Sequence, residues 1–257
     1  MNRCALALLG LLALPLAAAA QDRPLLSNEP PPERLPEARI AVMPYIGARV
    51  PYTTGDAVFF LENGDQFRIA SQRGGGPMVG VDVTARVKGR VSLVGGLSYS
   101  ASREDIWRVN DLQTDTFTDV GIDGARYWTA KAGAVFRLAD PNPDNRHFHP
   151  SAFITVAPAL VWLDYDDVEG FPDAANGSVI SPALNLGADA TARIGRTSRW
   201  AFSIGVQDFL TFWNTDDLQE REGLLGSLLL DAPVVVDYDY NTSNIFTLRF
   251  GVSYRMP

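Results

Sequence analysis

The last stretch of the chain alternates without a break. Phe246, Leu248, Phe250, Val252, Tyr254 and Met256 are apolar; Thr247, Arg249, Gly251, Ser253 and Arg255 between them are polar or glycine. Successive side chains of a strand point to opposite faces, so this period-two pattern gives one oily face and one small or ionic face. A soluble protein would turn the oily face inward. A membrane barrel would turn it outward to lipid and leave the arginines in the lumen.

The same period recurs upstream. Val79, Val81, Val83, Ala85 and Val87 alternate with Gly80, Asp82, Thr84 and Arg86. Val91, Leu93, Leu97 and Tyr99 alternate with Ser92, Ser98 and Ser100. Trp128 to Leu138 carries Thr129, Lys131, Gly133 and Arg137 on its polar side. Leu186 to Ile194 carries Gly187, Asp189, Thr191 and Arg193, and Trp200 to Phe212 opens with Ala201, Ser203, Gly205 and Gln207. Two segments are less clean. Arg39 to Val50 is blurred and holds Pro44. Ala152 to Leu163 is apolar on both faces and holds Pro158, where a bulge is expected because proline cannot donate to a ladder. With the terminal segment this makes eight strands.

Their connections alternate between short and long. Lys88-Gly89-Arg90, residues 139–150 and residues 195–199 are short or medium. Residues 51–76, 102–127, 164–185 and 213–244 are long. That is the layout of an all-β, eight-stranded antiparallel up-and-down transmembrane barrel, with both chain ends on the short-turn side. In the first long excursion, Ala57 to Leu61 and Gln66 to Ala70 flank Glu62-Asn63-Gly64-Asp65, a hairpin signal. Strands one and two then project beyond the membrane as a long hairpin, or the barrel has ten strands. In the fourth, Gln219 to Leu230 reads as a short helix that caps the barrel, touches the membrane or meets a partner.

Lipid is favoured over water by the polar faces. They hold Asp82, Arg86, Lys131, Arg137, Asp189, Arg193, Arg249 and Arg255. A small barrel has little room inside, and small residues with paired charges fit there better than rows of Phe, Leu and Trp. We therefore expect these eight to form a lumenal charge network. Tyr99, Trp128, Trp162, Phe212, Trp213 and Phe246 near the long-loop ends, and Phe136, Trp200 and Tyr254 near the short turns, are expected to form two interfacial belts. The alternative is a soluble lipocalin-like barrel with every strand inverted and a ligand cavity inside.

Residues 1–20 read as a secretory signal peptide: Arg3, an apolar run from Ala5 to Leu16, then small residues to Ala20. Residues 21–37 hold five prolines and read as a periplasmic linker, leaving 38–257 for the barrel. Cys4 lies within the leader, so the mature chain has no disulfide and no thiol catalyst. With 30 Asp+Glu against 22 Lys+Arg the chain is acidic, which argues against nucleic acid as a partner. Acid crowds the third and fourth long loops: Asp164, Asp166, Asp167, Glu169 and Asp173, then Asp216, Asp217, Glu220, Glu222, Asp231, Asp237 and Asp239. No calcium-loop spacing is present, so these read as solvated loops rather than a metal site. His147 and His149 have no supporting Cys or carboxylate pattern, and no cofactor is expected.

This architecture resembles the small bacterial outer-membrane β-barrel proteins, the superfamily of outer-membrane proteins A, X and W. Phe148-His149-Pro150-Ser151-Ala152-Phe153, where a proline-bearing turn enters a strand, is similar to that group. So is the terminal strand, at Gly251, Tyr254 and Met256; Leu248 at a polar slot and the terminal Pro257 depart from it. The resemblance implies a porin-like, Gram-negative outer-membrane location and a terminal strand read by the barrel-assembly machinery. Outer-membrane lipid is then the surroundings of a monomer. Some small barrels of this kind modify lipid A with a His and a Ser at the outer-leaflet side. Here both histidines fall on the periplasmic side, so a non-enzymatic structural, envelope-integrity or surface-interaction role is expected, with a narrow solute path as a variant.

Overall fold

The computed structural model describes residues 39–61, 66–102, 104–111, 116–123, 125–138, 148–165, 177–194, 198–230, 234–238 and 241–256. The leader, the linker, the turn at 62–65, His147, and Asp166, Asp167, Glu169, Asp173, Asp231 and Asp239 lie outside the described residues, as does the His149 side chain.

In chain order the strands are β1 (Ile40–Arg49), β2 (Tyr52–Leu61), β3 (Gln66–Arg73), β4 (Gly76–Lys88), β5 (Val91–Ala101), β6 (Glu104–Asp111) and β7 (Thr116–Asp123). They continue with β8 (Arg126–Arg137), β9 (Phe148–Asp164), β10 (Ser178–Ile194), β11 (Trp200–Phe212), β12 (Val234–Tyr238) and β13 (Thr242–Met256). One helix, α1 (Thr215–Leu230), lies between β11 and β12. Eight strands close into a barrel in the order β1-β13-β11-β10-β9-β8-β5-β4. Closure comes from β1, which pairs antiparallel with β13 on one side and β4 on the other. These eight are the segments read from the alternation, so the count is eight and not ten.

The long hairpin takes a different place from the one expected. β2 and β3 do not lengthen the first two barrel strands. They join a second, five-stranded sheet in the order β12-β2-β3-β6-β7. By connectivity this sheet stands at the long-loop end, and we call it the canopy. β6 and β7, within the second long excursion, carry no clear alternation and fall outside the eight segments that the sequence pattern predicts. α1 begins four residues before the expected Gln219, with Asp216 and Asp217 in its first turn, where acid complements the helix dipole.

The expected bulge in β9 is absent. β9 and β10 pair in unbroken register from Phe148 opposite Ile194 to Asp164 opposite Ser178. The proline acts on the other neighbour: the β8–β9 ladder runs to Lys131 opposite Ala159 and resumes at Ala134 opposite Val156 with the same offset. Pro158 thus removes local rungs without shifting the strand. At the opposite end, Gly89 adopts φ 57° in the β4–β5 turn, a left-handed conformation that favours glycine.

The facing of the strands decides between water and oil. Val79, Leu97, Trp128, Phe202, Phe246 and Phe250 are all exposed on the outside, Trp128 at 48% and Phe246 at 50%. The alternate residues, including Asp82, Lys131, Asp189 and Arg249, are buried inside. A soluble lipocalin-like barrel needs the reverse, so that alternative is set aside. On the outer wall Tyr99 meets Trp128 with centroids 4.6 Å apart, and Trp200 meets Tyr254 at 4.7 Å, near opposite ends of their strands. Trp213 is not in a belt. It is buried and its indole N–H donates to Ser243 Oγ at 2.6 Å.

Candidate functional site: the filled lumen

The interior is packed in two layers of different chemistry. In the layer nearer the canopy, Ala159, Val161 and Leu163 of β9 meet Val179 and Ala183 of β10, Phe209 of β11 and Ile245 of β13. Tyr52, Tyr127, Tyr165, Trp213 and Leu218 complete one buried cluster. This explains why β9 is apolar on both faces: one side meets the exterior, the other this core. It also corrects the expectation that the lumen holds only small residues and charges. Leu218 comes from the first turn of α1, so the helix start helps close this end.

The second layer is ionic, and it brings together four of the eight expected charges. Asp82, Lys131, Asp189 and Arg249 project inward from β4, β8, β10 and β13. Lys131 Nζ donates to Asp82 Oδ2 at 2.9 Å. Arg249 grips Asp189 with Nε to Oδ1 at 2.9 Å and Nη2 to Oδ2 at 2.5 Å, a bidentate fork. Its remaining terminal nitrogen donates to Asp82. Gln207, with its amide oxygen turned inward, accepts from both Lys131 and Arg249, and Tyr45 presents its ring 5.2 Å from the guanidinium. Each of the four charged residues is at most 6% exposed. Burying such charges is costly unless they are paired and hydrogen-bonded, and here they are.

Glycine makes this layer geometrically possible. Gly96 lies between Asp82 and Lys131 in the ladder, paired with both. A Cβ on it would fall on Asp82 Oδ1 and lie 2.8 Å from Lys131 Cε. Gly205 likewise lies between Asp189 and Arg249, and a Cβ there would fall on Asp189 Oδ1. Each ion pair therefore reaches across one strand over a bare backbone. Tyr45 sits between Gly80 and Gly251 in the same manner. Sequence reading named the charges but not the glycines that let them meet; a glycine on the polar face of a neighbouring strand was the available signal.

The other four expected charges, Arg86, Arg137, Arg193 and Arg255, lie toward the short-turn end and outside this network. Arg86 donates to the Gly89 carbonyl at 3.0 Å, and Arg137 stands 5.9 Å from the Phe153 ring. At the edge of the apolar core, and including two of its tyrosines, is a further polar group that sequence reading missed. Arg73 Nη1 pairs with Asp105 at 3.1 Å, both buried, Tyr52 and Tyr127 share a hydroxyl hydrogen bond of 2.8 Å, and burial pushes the Tyr52 phenol well above its usual 10.0. Among the described residues no group of three or more metal-ligating side chains occurs.

No protein-family model matches this chain and no curated protein matches it. Solved structures of similar fold do. The outer membrane protein OprG from Pseudomonas aeruginosa is 14% identical, over 86% of this chain and 97% of that one, with a TM-score of 0.49. Neisserial surface protein A is 10% identical over 84% and 97%, at 0.42. The outer membrane protease OmpT from Escherichia coli is 8% identical over 87% and 99%, at 0.40. The likeness is one of barrel topology.

Proposed function

We propose that this chain is a non-enzymatic β-barrel of the bacterial outer membrane, closed to solutes, that holds a folded canopy at the cell surface. The observation that carries the reading is the combination of an apolar exterior with an ion-paired lumen, in which Asp82 and Arg249 are 2% and 3% exposed. Such a wall suits hydrocarbon and such a lumen suits a plug. Residues 1–20 are the leader, removed near Ala20, and 21–37 the periplasmic linker. The barrel stands as a monomer in outer-membrane lipid, delivered by the assembly machinery through Gly251, Tyr254 and Met256.

The canopy gives the surface-interaction role its physical form. Val235 and Phe60 face each other across β12 and β2, exposed at 69% and 39%. An exposed apolar pair on a sheet suits contact with another surface. Planar-bilayer recording of the purified protein tests closure. Silence is the expected result; stable single-channel steps would replace the plug with a solute path. Unchanged lipid A on overexpression is expected of a non-enzyme, and an altered acyl pattern would overturn that part.

A further inference from the structure

The buried charges do not balance. Among the described residues, Asp82, Asp105 and Asp189 are buried on the acidic side, and Arg49, Arg73, Lys131 and Arg249 on the basic side. Each acid is taken: Asp105 by Arg73, Asp82 by Lys131 and Arg249, Asp189 by Arg249. Arg49, 3% exposed, is left over. Its Nε donates to Ser100 Oγ at 3.4 Å and its Nη2 to Ser102 Oγ. Its guanidinium carbon stands 3.8 Å from the Tyr127 ring centroid and 5.8 Å from that of Tyr52. Its Nη1 is buried with no partner. Directly opposite in the β1–β13 ladder is Thr247, whose Oγ1 is also buried without a partner.

Hydroxyls and a ring face offset only part of the cost of burying a guanidinium, and neither cancels its charge. Buried cations in folded proteins are matched by an anion, and an unpartnered buried group needs an explanation. We propose that Arg49 is an anion-binding site inside the mouth of the barrel, taking one small monovalent anion at Nη1. The chemistry limits the occupant. Nε and Nη2 each donate to a serine, so the Nε–Nη2 edge that would clamp a phosphate or carboxylate in plane is occupied, and an anion meets the guanidinium from its Nη1 end. Nη1 is the guanidinium nitrogen left without a partner, and it suits a small acceptor: a halide, or one oxygen of a small carboxylate. Bound there, the anion neutralises the excess charge.

The test uses the full mature barrel in a non-ionic detergent, in buffer free of halide, phosphate and carboxylate. Chloride-35 line width is read while sodium chloride is added. Wild type is expected to show excess broadening that saturates, Arg49→Lys to keep it within a few-fold, and Arg49→Met to lose it at least tenfold. If sodium acetate in tenfold excess collapses the wild-type signal, a carboxylate oxygen is the better occupant; if not, a halide is. Either result supports the site. Broadening that survives in Arg49→Met overturns the proposal. Should Arg49→Met not fold, crystals of wild type grown in sodium bromide decide: an anomalous peak in hydrogen-bond contact with Arg49 Nη1 supports the site, and none there overturns it.

Discussion

Replacing Arg249 with Met is the sharpest perturbation of the ionic layer, because among the described residues Arg249 alone donates to Asp189. Both carboxylate oxygens of Asp189 receive their hydrogen bonds from this guanidinium, at 2.9 and 2.5 Å. Asp82 would keep Lys131 at 2.9 Å. Breaking a buried pair from one side leaves an uncompensated charge, at a cost of about 3–5 kcal/mol. Lys131→Met is expected to cost less, about 1.5–3 kcal/mol, since Asp82 and Gln207 both retain Arg249. The double variant Asp189→Leu with Arg249→Met removes both members and leaves Asp82 with Lys131. It should recover most of the loss, because apolar replacement of a whole buried pair is often neutral or stabilising. Equilibrium urea unfolding in lipid vesicles, followed by tryptophan fluorescence, measures all three. If Arg249→Met costs less than about 1 kcal/mol, or the double variant is no better than the single, water reaches these charges and the plug is not dry.

Three further outcomes follow from the same geometry. Gly205→Ala places a methyl on Asp189 Oδ1 and should cost about 1–3 kcal/mol by overpacking in the same unfolding assay, with a matching loss at Gly96. Asp208 faces outward, paired with Leu186 and Phe246 on its neighbours; Asp208→Leu should stabilise the barrel by on the order of 1 kcal/mol in bilayers, and no gain would mean that this face is not against hydrocarbon. In the canopy, Arg108 binds both oxygens of Asp119, at 2.8 and 3.0 Å. Those hydrogen bonds hold the Asp119 carboxyl below its usual 3.8, so their contribution is present above that value and disappears as pH falls through the lowered one. A carboxyl NMR titration should show the depression, and Arg108→Met should abolish it.

The barrel was legible because one rule governs each of its strands. A strand with oil on one side and water or charge on the other must alternate, and β4, β5, β8, β11 and β13 do so over most of their length, with exceptions such as Val94, Val135 and Asp208 too few to hide the period. β9 obscured its phase because both of its sides are apolar, one for the exterior and one for the core around Phe209 and Leu163. The canopy was harder for the same reason in reverse. Strands outside the apolar girdle answer to no bilayer, so β6 and β7 needed no period of two and showed none to read. Trp213 misled because an aromatic at a strand end suits either a headgroup belt or a capped core. Only its contact with Ser243 separates the two.

The candidate site shows where a one-dimensional reading stops. Asp82 and Arg249 are 167 residues apart, and nothing in the spacing of either says that they touch. What ties them is barrel closure, which sets β1 between β4 and β13 and turns all three polar faces onto one axis. A charge on such a face has few escapes: it finds a counter-charge, it stays near an open end, or it recruits an ion. Asp82, Lys131, Asp189 and Arg249 take the first route and Arg86 takes the second, at the β4–β5 turn. Arg49, buried beside serines and tyrosines with no carboxylate among the described residues, has only the third.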